Sequence, residues 1–119
     1  MSLIILQKPD LSNFIRRLLP DYRVVGPVEA NGGYAFEEIA DPAILRLDYP
    51  TTTLPPKKFL LPPRETLFKF NRTNGGGLEA AQQDPPTVIF GVHTCDLHAI
   101  QLLDAVFSSG YSDPYYLNR

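Results

Sequence analysis

An α+β fold with a small mixed β-sheet, an N-terminal hairpin, and a strand-turn-helix unit whose C-terminal helix packs on the sheet is the architecture to which these 119 residues point. Two β-rich runs flank an Asn31-Gly32-Gly33 turn, which supplies the positive φ that a hairpin demands. The apolar run Thr87-Val-Ile-Phe-Gly-Val92 leads through a tight turn at the chain's single cysteine into an amphipathic helix. Between them the pairs Pro55-Pro56, Pro62-Pro63 and Pro85-Pro86 are expected to be extended connectors or element starts.

Taken in order, Leu11 to Leu19 carries apolar residues at 11, 14, 15, 18 and 19. That spacing predicts a short helix, with Asp10 or Ser12 as its cap and Pro20 as its stop. Tyr22–Val28 and Tyr34–Ile39 are the two strands of the hairpin. Ile44–Tyr49 alternates apolar and polar residues for most of its length and predicts a third strand, with Leu45 and Leu47 inward or paired against the hairpin. Thr51–Glu65 contains the pairs Pro55-Pro56 and Pro62-Pro63. Proline fixes φ and removes a donor, so this stretch is expected to wrap the surface as an ordered loop, with Phe59, Leu60 and Leu61 needing cover.

Leu67–Phe70 reads as a short strand. Asn71–Asp84 holds Gly75-Gly76-Gly77 and mostly small or polar residues, so it is expected to be one mobile loop. No Lys-Ser/Thr follows the glycines, as a phosphate-cradling loop would require. Thr87–Val92 is expected to be the central, buried strand. In the following helix Ala99, Ile100, Leu103, Val106 and Phe107 form one apolar stripe opposite Gln101, Asp104 and Ser108. Thr94 or Asp96 is placed to cap its start, and Gly110 to end it.

Composition excludes several classes of function. The net charge is −2, with 11 basic and 13 acidic residues. There is no excess to offset a phosphate backbone, so nucleic acid is not an expected partner. No apolar run reaches the roughly 18 residues of a membrane span, and the first residues lack the pattern of a signal peptide; the expected location is cytoplasmic. A single cysteine closes no internal disulfide and cannot by itself supply the ligands of a zinc site or an iron–sulfur cluster. No metal site and no resident cofactor are therefore expected within this chain.

The chemistry concentrates at Cys95 and Asp96. The first turn of a helix offers unpaired N–H groups and a partial positive charge, and loops at the carboxyl ends of strands face the crevices where α/β proteins place ligands. A thiol there is expected to be acidic and available. The alternative is a cysteine that serves as a small buried hydrophobe. Asp96 suits helix capping as well as ligand contact. His93 and His98 are near enough to suggest a Cys/His nucleophile pair or a zinc site, yet no orienting third group and no fourth ligand is evident. Lys57, Lys58 and Arg64 make either a small phosphate-binding patch or three solvated charges.

Several blocks together carry a family likeness: Tyr22-Arg-Val-Val-Gly-Pro-Val28, Leu47-Asp-Tyr49, Leu54-Pro-Pro-Lys-Lys-Phe-Leu-Leu-Pro-Pro-Arg-Glu-Thr-Leu-Phe68, Gly91-Val-His-Thr-Cys-Asp-Leu-His-Ala-Ile100, Leu103-Asp104 and Asp113-Pro-Tyr-Tyr116. The chain resembles, over nearly its whole length, the N-terminal domain of the iron–sulfur, beta-type subunit of cytosolic sulfhydrogenases and the corresponding iron–sulfur component of anaerobic sulfite reductases. The Pro-Pro-Lys-Lys to Pro-Pro-Arg-Glu block together with Gly-Val-x-x-Cys-Asp is the specific combination. This resemblance implies an electron-transfer subunit in which such a domain precedes a ferredoxin-like region holding two 4Fe–4S clusters. Such a protein works beside a partner subunit that binds flavin and NAD(P).

No Cys-x-x-Cys-x-x-Cys motif occurs here. Residues 1–119 are accordingly expected to be a single domain of a longer iron–sulfur protein, with the cluster-binding region outside this chain and no electron transfer by the fragment itself. Within that framework Cys95 and Asp96 are the expected cofactor-contacting residues. The competing expectation is a subunit-docking or scaffold module with no cofactor contact, using Phe59–Leu61 and the aromatic residues Tyr111, Tyr115 and Tyr116 as its interface. A stand-alone cysteine hydrolase is not expected.

Overall fold

The computed structural model describes residues 2–73, 75–81 and 84–119. Its elements run α1 (Leu11–Leu18), β1 (Arg23–Ala30), β2 (Gly33–Glu38), β3 (Phe68–Phe70), β4 (Leu78–Ala80), β5 (Thr87–Ile89), α2 (Thr94–Ser108) and α3 (Pro114–Leu117), with 3-10 turns at Lys8–Asp10, Pro42–Ile44 and Pro56–Phe59. This is an α+β chain with small sheets. It divides into two compact units, one of residues up to 55 together with 86–92 and the other of residues 56–85 with 93–119. Among the described residues no helix is long and apolar enough to cross a membrane.

In the first unit the sheet order is β2-β1-β5. Strands β1 and β2 pair antiparallel, from Val25 opposite Glu38 to Ala30 opposite Gly33. The turn between them is Asn31-Gly32, at φ of 50° and 78°, the doubly positive backbone that lets two residues reverse a twisted ribbon. Strand β5 joins β1 in parallel, Arg23 to Val25 facing Thr87 to Ile89. The sheet is thus mixed, as expected. Its centre is β1, however, and the expected central strand at Thr87–Val92 lies at the flank and is half-buried. Gly91, at φ 74°, ends that strand early.

Strand β1 is buried without interruption from Val24 to Val28, because both of its faces are covered. On one face Val24 and Val28 pack with Ile15 of α1 and with Ile39, under Leu11, Leu18, Leu19, Leu45 and Phe90. Gly26 lies between those valines; a Cβ there would come within 2.5 Å of Leu45 Cδ1 and 2.9 Å of Ile39 Cδ1. The glycine makes the space into which those two side chains reach. On the other face Phe36 is fully buried and meets the Tyr49 ring edge-on at 5.6 Å. The Tyr49 hydroxyl donates to the Gly91 carbonyl at 2.6 Å.

Pro27 sits in a central strand, where a missing N–H normally breaks the ladder. Here it does not. The pairing with β5 ends at Val25, and the Pro27 carbonyl beyond it accepts from the Arg46 N–H at 2.8 Å.

The segment Ile44–Tyr49 is not a strand, contrary to its alternating pattern. Asp41 caps the 3-10 turn at Pro42–Ile44 by accepting from Ala43 N–H at 3.0 Å, and a further turn follows at Leu47-Asp48. The apolar residues alternate because they serve different faces of the sheet: Leu45 joins the α1 side and Tyr49 the Phe36 side, while Leu47 is 46% exposed. Pro42 and the Asp41 cap set the local backbone, and they outweigh the period of two.

In the second unit, Leu60 and Leu61 N–H groups both return to the Lys57 carbonyl, so the proline-rich stretch is an ordered loop there, as expected. Phe59, Leu60 and Leu61 are half-buried. Strands β3 and β4 form an antiparallel ribbon with Phe70 opposite Leu78. This corrects the expectation of one mobile loop over Asn71–Asp84. Gly75 and Gly76 take φ of 77° and 69°, where glycine costs least, and the chain reverses so that Leu78–Ala80 can pair. Asn74, Gln82 and Gln83 lie outside the described residues.

Candidate functional site

Helix α2 begins at Thr94, with His93 in extended conformation as its cap residue and the Leu97 N–H donating to the His93 carbonyl at 3.0 Å. Neither Thr94 nor Asp96 occupies the cap position that the sequence suggests for them; both lie inside the first turn, and His93 makes no side-chain cap bond. Asp96 is a half-buried acid in that turn, where the helix dipole favours negative charge. Cys95 is a free, exposed cysteine. The pair therefore sits on one turn, with the sulfur reachable from solvent and the carboxylate partly covered.

The other candidates do not assemble around it. Among the described residues, no group of three His, Cys, Asp or Glu side chains is placed to hold a metal ion, so the His93, Cys95, His98 zinc arrangement is not formed. Lys58 lies over its own neighbour Phe59, Nζ 5.2 Å from the ring centre, while Lys57 and Arg64 are exposed.

The covered face of α2 runs through Asp96, Ala99, Ile100, Leu103 and Phe107, all half-buried. Val106, expected within the stripe, is 64% exposed, and Leu102 is 69% exposed. The short helix α3 covers the C-terminal part of this face. Asp113 caps α3 by accepting from the Tyr115 and Tyr116 N–H groups. Tyr116 then stacks on Phe107 with ring centres 4.6 Å apart, and its hydroxyl donates to Asp104 Oδ1 at 2.7 Å. Tyr116 is only 4% exposed, so of the aromatic residues expected to form a bare interface, Tyr111 alone stands fully in solvent.

Burial, and then the hydrogen bond to Asp104, push the Tyr116 phenol above its ordinary range. In the unfolded chain the same group ionises near pH 10. As pH rises past that value the unfolded state gives up its proton first, so the stability that neutral Tyr116 contributes is complete below about pH 10 and is lost above it. Tyr116→Phe is expected to lower stability by about 1 kcal/mol at neutral pH. The deficit should shrink above about pH 10, where the wild type acquires an ionisation penalty that the variant lacks. Urea midpoints of the two proteins, at pH 7 and in the alkaline range, read this directly.

A second cluster was not visible in the sequence. The Arg119 guanidinium, 7% exposed, pairs with Asp84 at 3.0 Å and with Glu65, and donates to the Leu60 carbonyl at 3.0 Å. Burial works against the charge, but the bonds to Glu65 and Asp84 outweigh it and hold the arginine above its usual value. Its members are 35, 54 and 59 residues apart, with no local motif to announce them.

No protein-family model matches the chain, and no solved structure matches it. A curated relative does. Over 106 residues, which is 89% of this chain, it is 44% identical to the sulfhydrogenase 2 subunit beta of Pyrococcus furiosus. The chain spans 31% of that protein's length. Identity at this level over nearly the whole chain makes it a relative of the sulfhydrogenase beta subunit over the third of that protein which the two share.

Proposed function

We infer that the chain is the N-terminal domain, residues 1–119, of an electron-transfer iron–sulfur subunit in a cytoplasmic oxidoreductase complex of the hydrogenase or of the sulfur- or sulfite-reductase type. Its role there is to position the cluster domain and the partner subunits. The observation that carries this reading is the 44% identity to a sulfhydrogenase beta subunit. The cofactors of the intact assembly are 4Fe–4S clusters in the same polypeptide, and flavin and NAD(P) in a partner subunit. The residues of this chain do not fit a cluster of their own. A 4Fe–4S centre takes four thiolates, and Cys95 is the one cysteine in the sequence.

In this reading Cys95 and Asp96 face the cofactor region of the assembly. An exposed thiol on a helix's first turn can donate to or ligate a neighbouring group, and contacts to cluster sulfurs tune reduction potential. The test uses the full-length native polypeptide in its complex. Wild-type protein should show iron–sulfur signals by electron paramagnetic resonance, and their absence rejects the electron-transfer role. Cys95→Ser should shift those signals or slow electron transfer. Spectra and rates identical to wild type leave the electron-transfer role of the polypeptide standing and remove the role of Cys95.

A further inference from the structure

Side chains alternate across a strand, so the register of the β3–β4 ribbon sorts its residues cleanly. Phe68, Phe70, Leu78 and Ala80 share one face, and Lys69 stands opposite Glu79 on the other. The charged face suits water. The apolar face is bare: Phe68 is 53% exposed, Phe70 68% and Leu78 66%. Tyr115 meets Phe68 edge-on at 6.4 Å and leaves Phe70 and Leu78 open. A two-stranded ribbon is marginal in water without a covered face, and adjacent aromatic side chains left in solvent mark an interaction surface.

We propose that this face docks the remainder of the same polypeptide in the longer protein of which the chain is a part. Two observations select that occupant. The chain spans 31% of its relative, so a protein of that length carries about twice as much polypeptide again outside this region. In addition, the last described residues are fastened beside the ribbon. The Tyr115 hydroxyl donates to the Leu67 carbonyl, next to β3, and Arg119 is held by Asp84, Glu65 and the Leu60 carbonyl. Polypeptide following Arg119 therefore leaves near the end of the ribbon where Phe68 pairs with Ala80, two residues along each strand from the open Phe70 and Leu78, and reaches them without a long linker.

A second copy of the chain is the poorer occupant. Three such side chains offer about 300–400 Å², against the about 800 Å² per partner of a stable pair. A tethered segment is not held to that area, because its local concentration is already high. The proposal rests on the preceding functional reading in requiring a longer polypeptide that continues after Arg119; it makes no use of the clusters.

The test is amide hydrogen exchange, followed by mass spectrometry, on this 119-residue chain and on the full-length polypeptide of the native gene. Amides of Phe68–Phe70 and Leu78–Ala80 should exchange at least about tenfold more slowly in the longer protein. Thiol labelling gives a second reading. Leu78→Cys should label about tenfold more slowly in the longer protein, while Glu79→Cys, on the charged face, should label alike in both. Equal exchange at the ribbon in the two proteins overturns the proposal. So does protection in the short chain that grows with its concentration, which identifies a second copy. Protection of the full-length polypeptide only after a separate protein of the complex is added overturns it as well. Exchange is read without reference to iron–sulfur signals, so this failure and that of the redox role are separable.

Discussion

Phe36→Ala is expected to lower the unfolding free energy of the first unit by about 3–5 kcal/mol, at the upper end for a single core truncation. Phe36 has no exposed surface and pairs directly with Pro27 of β1. One side of the ring is bounded by the Tyr49 ring at 5.6 Å, and Tyr49 is tied to the Gly91 carbonyl. Neither neighbour can slide in to fill the vacated volume: Pro27 has a fixed φ, and Tyr49 would have to give up its hydrogen bond. The cost should therefore include nearly the full cavity penalty beyond the lost transfer energy. Chemical denaturation followed by circular dichroism checks it. A loss below about 1.5 kcal/mol, typical of a volume-conserving swap, would show that the site collapses around the smaller side chain.

Arg119→Ala is expected to cost the second unit about 2–3 kcal/mol. Removing one partner of a buried ion pair ordinarily costs about 3–5 kcal/mol, because the surviving charge is stranded. Here Glu65 and Asp84 keep 28% and 25% of their side chains in contact with solvent, and water recovers part of the loss. Arg119→Lys preserves the charge but not the planar fork that reaches two carboxylates and a carbonyl at once, and should restore about half. Thermal melts of the three proteins, run in low and in high salt, measure this. A cluster held only by surface electrostatics would give differences that vanish at high salt.

The hairpin was legible because Asn31-Gly32 is a chemical requirement of a two-residue turn, satisfied locally. The helix at Leu11–Leu18 was legible from its spacing. The end of α2 was marked by Gly110, which takes φ 61°. By contrast, Ile44–Tyr49 misled because its alternation reflects residues serving two different faces, a tertiary fact that mimics a strand's period. Leu78–Ala80 was hidden by a glycine-rich neighbourhood, its pairing decided by Phe68–Phe70 rather than by its own composition. The centre of the mixed sheet could not be read, since strand order depends on contacts between segments far apart in the chain. At the candidate site, the placement of Cys95 and Asp96 on a helix's first turn followed from the strand-to-helix change in periodicity. The covered side of that helix followed as well at Ala99, Ile100, Leu103 and Phe107; what did not follow was the exposure of Val106 and the partnership of Asp104 and Phe107 with Tyr116, which lies beyond the helix itself.

Pro27 has one more consequence. Along the upper half of β1, beyond the last residue paired with β5, an incoming strand from a neighbouring molecule would find no donor at Pro27 and an acceptor already satisfied by Arg46. Lateral growth of the sheet is blocked on that flank, and the imino acid that the fold tolerates at the centre of β1 guards the molecule against aggregation there.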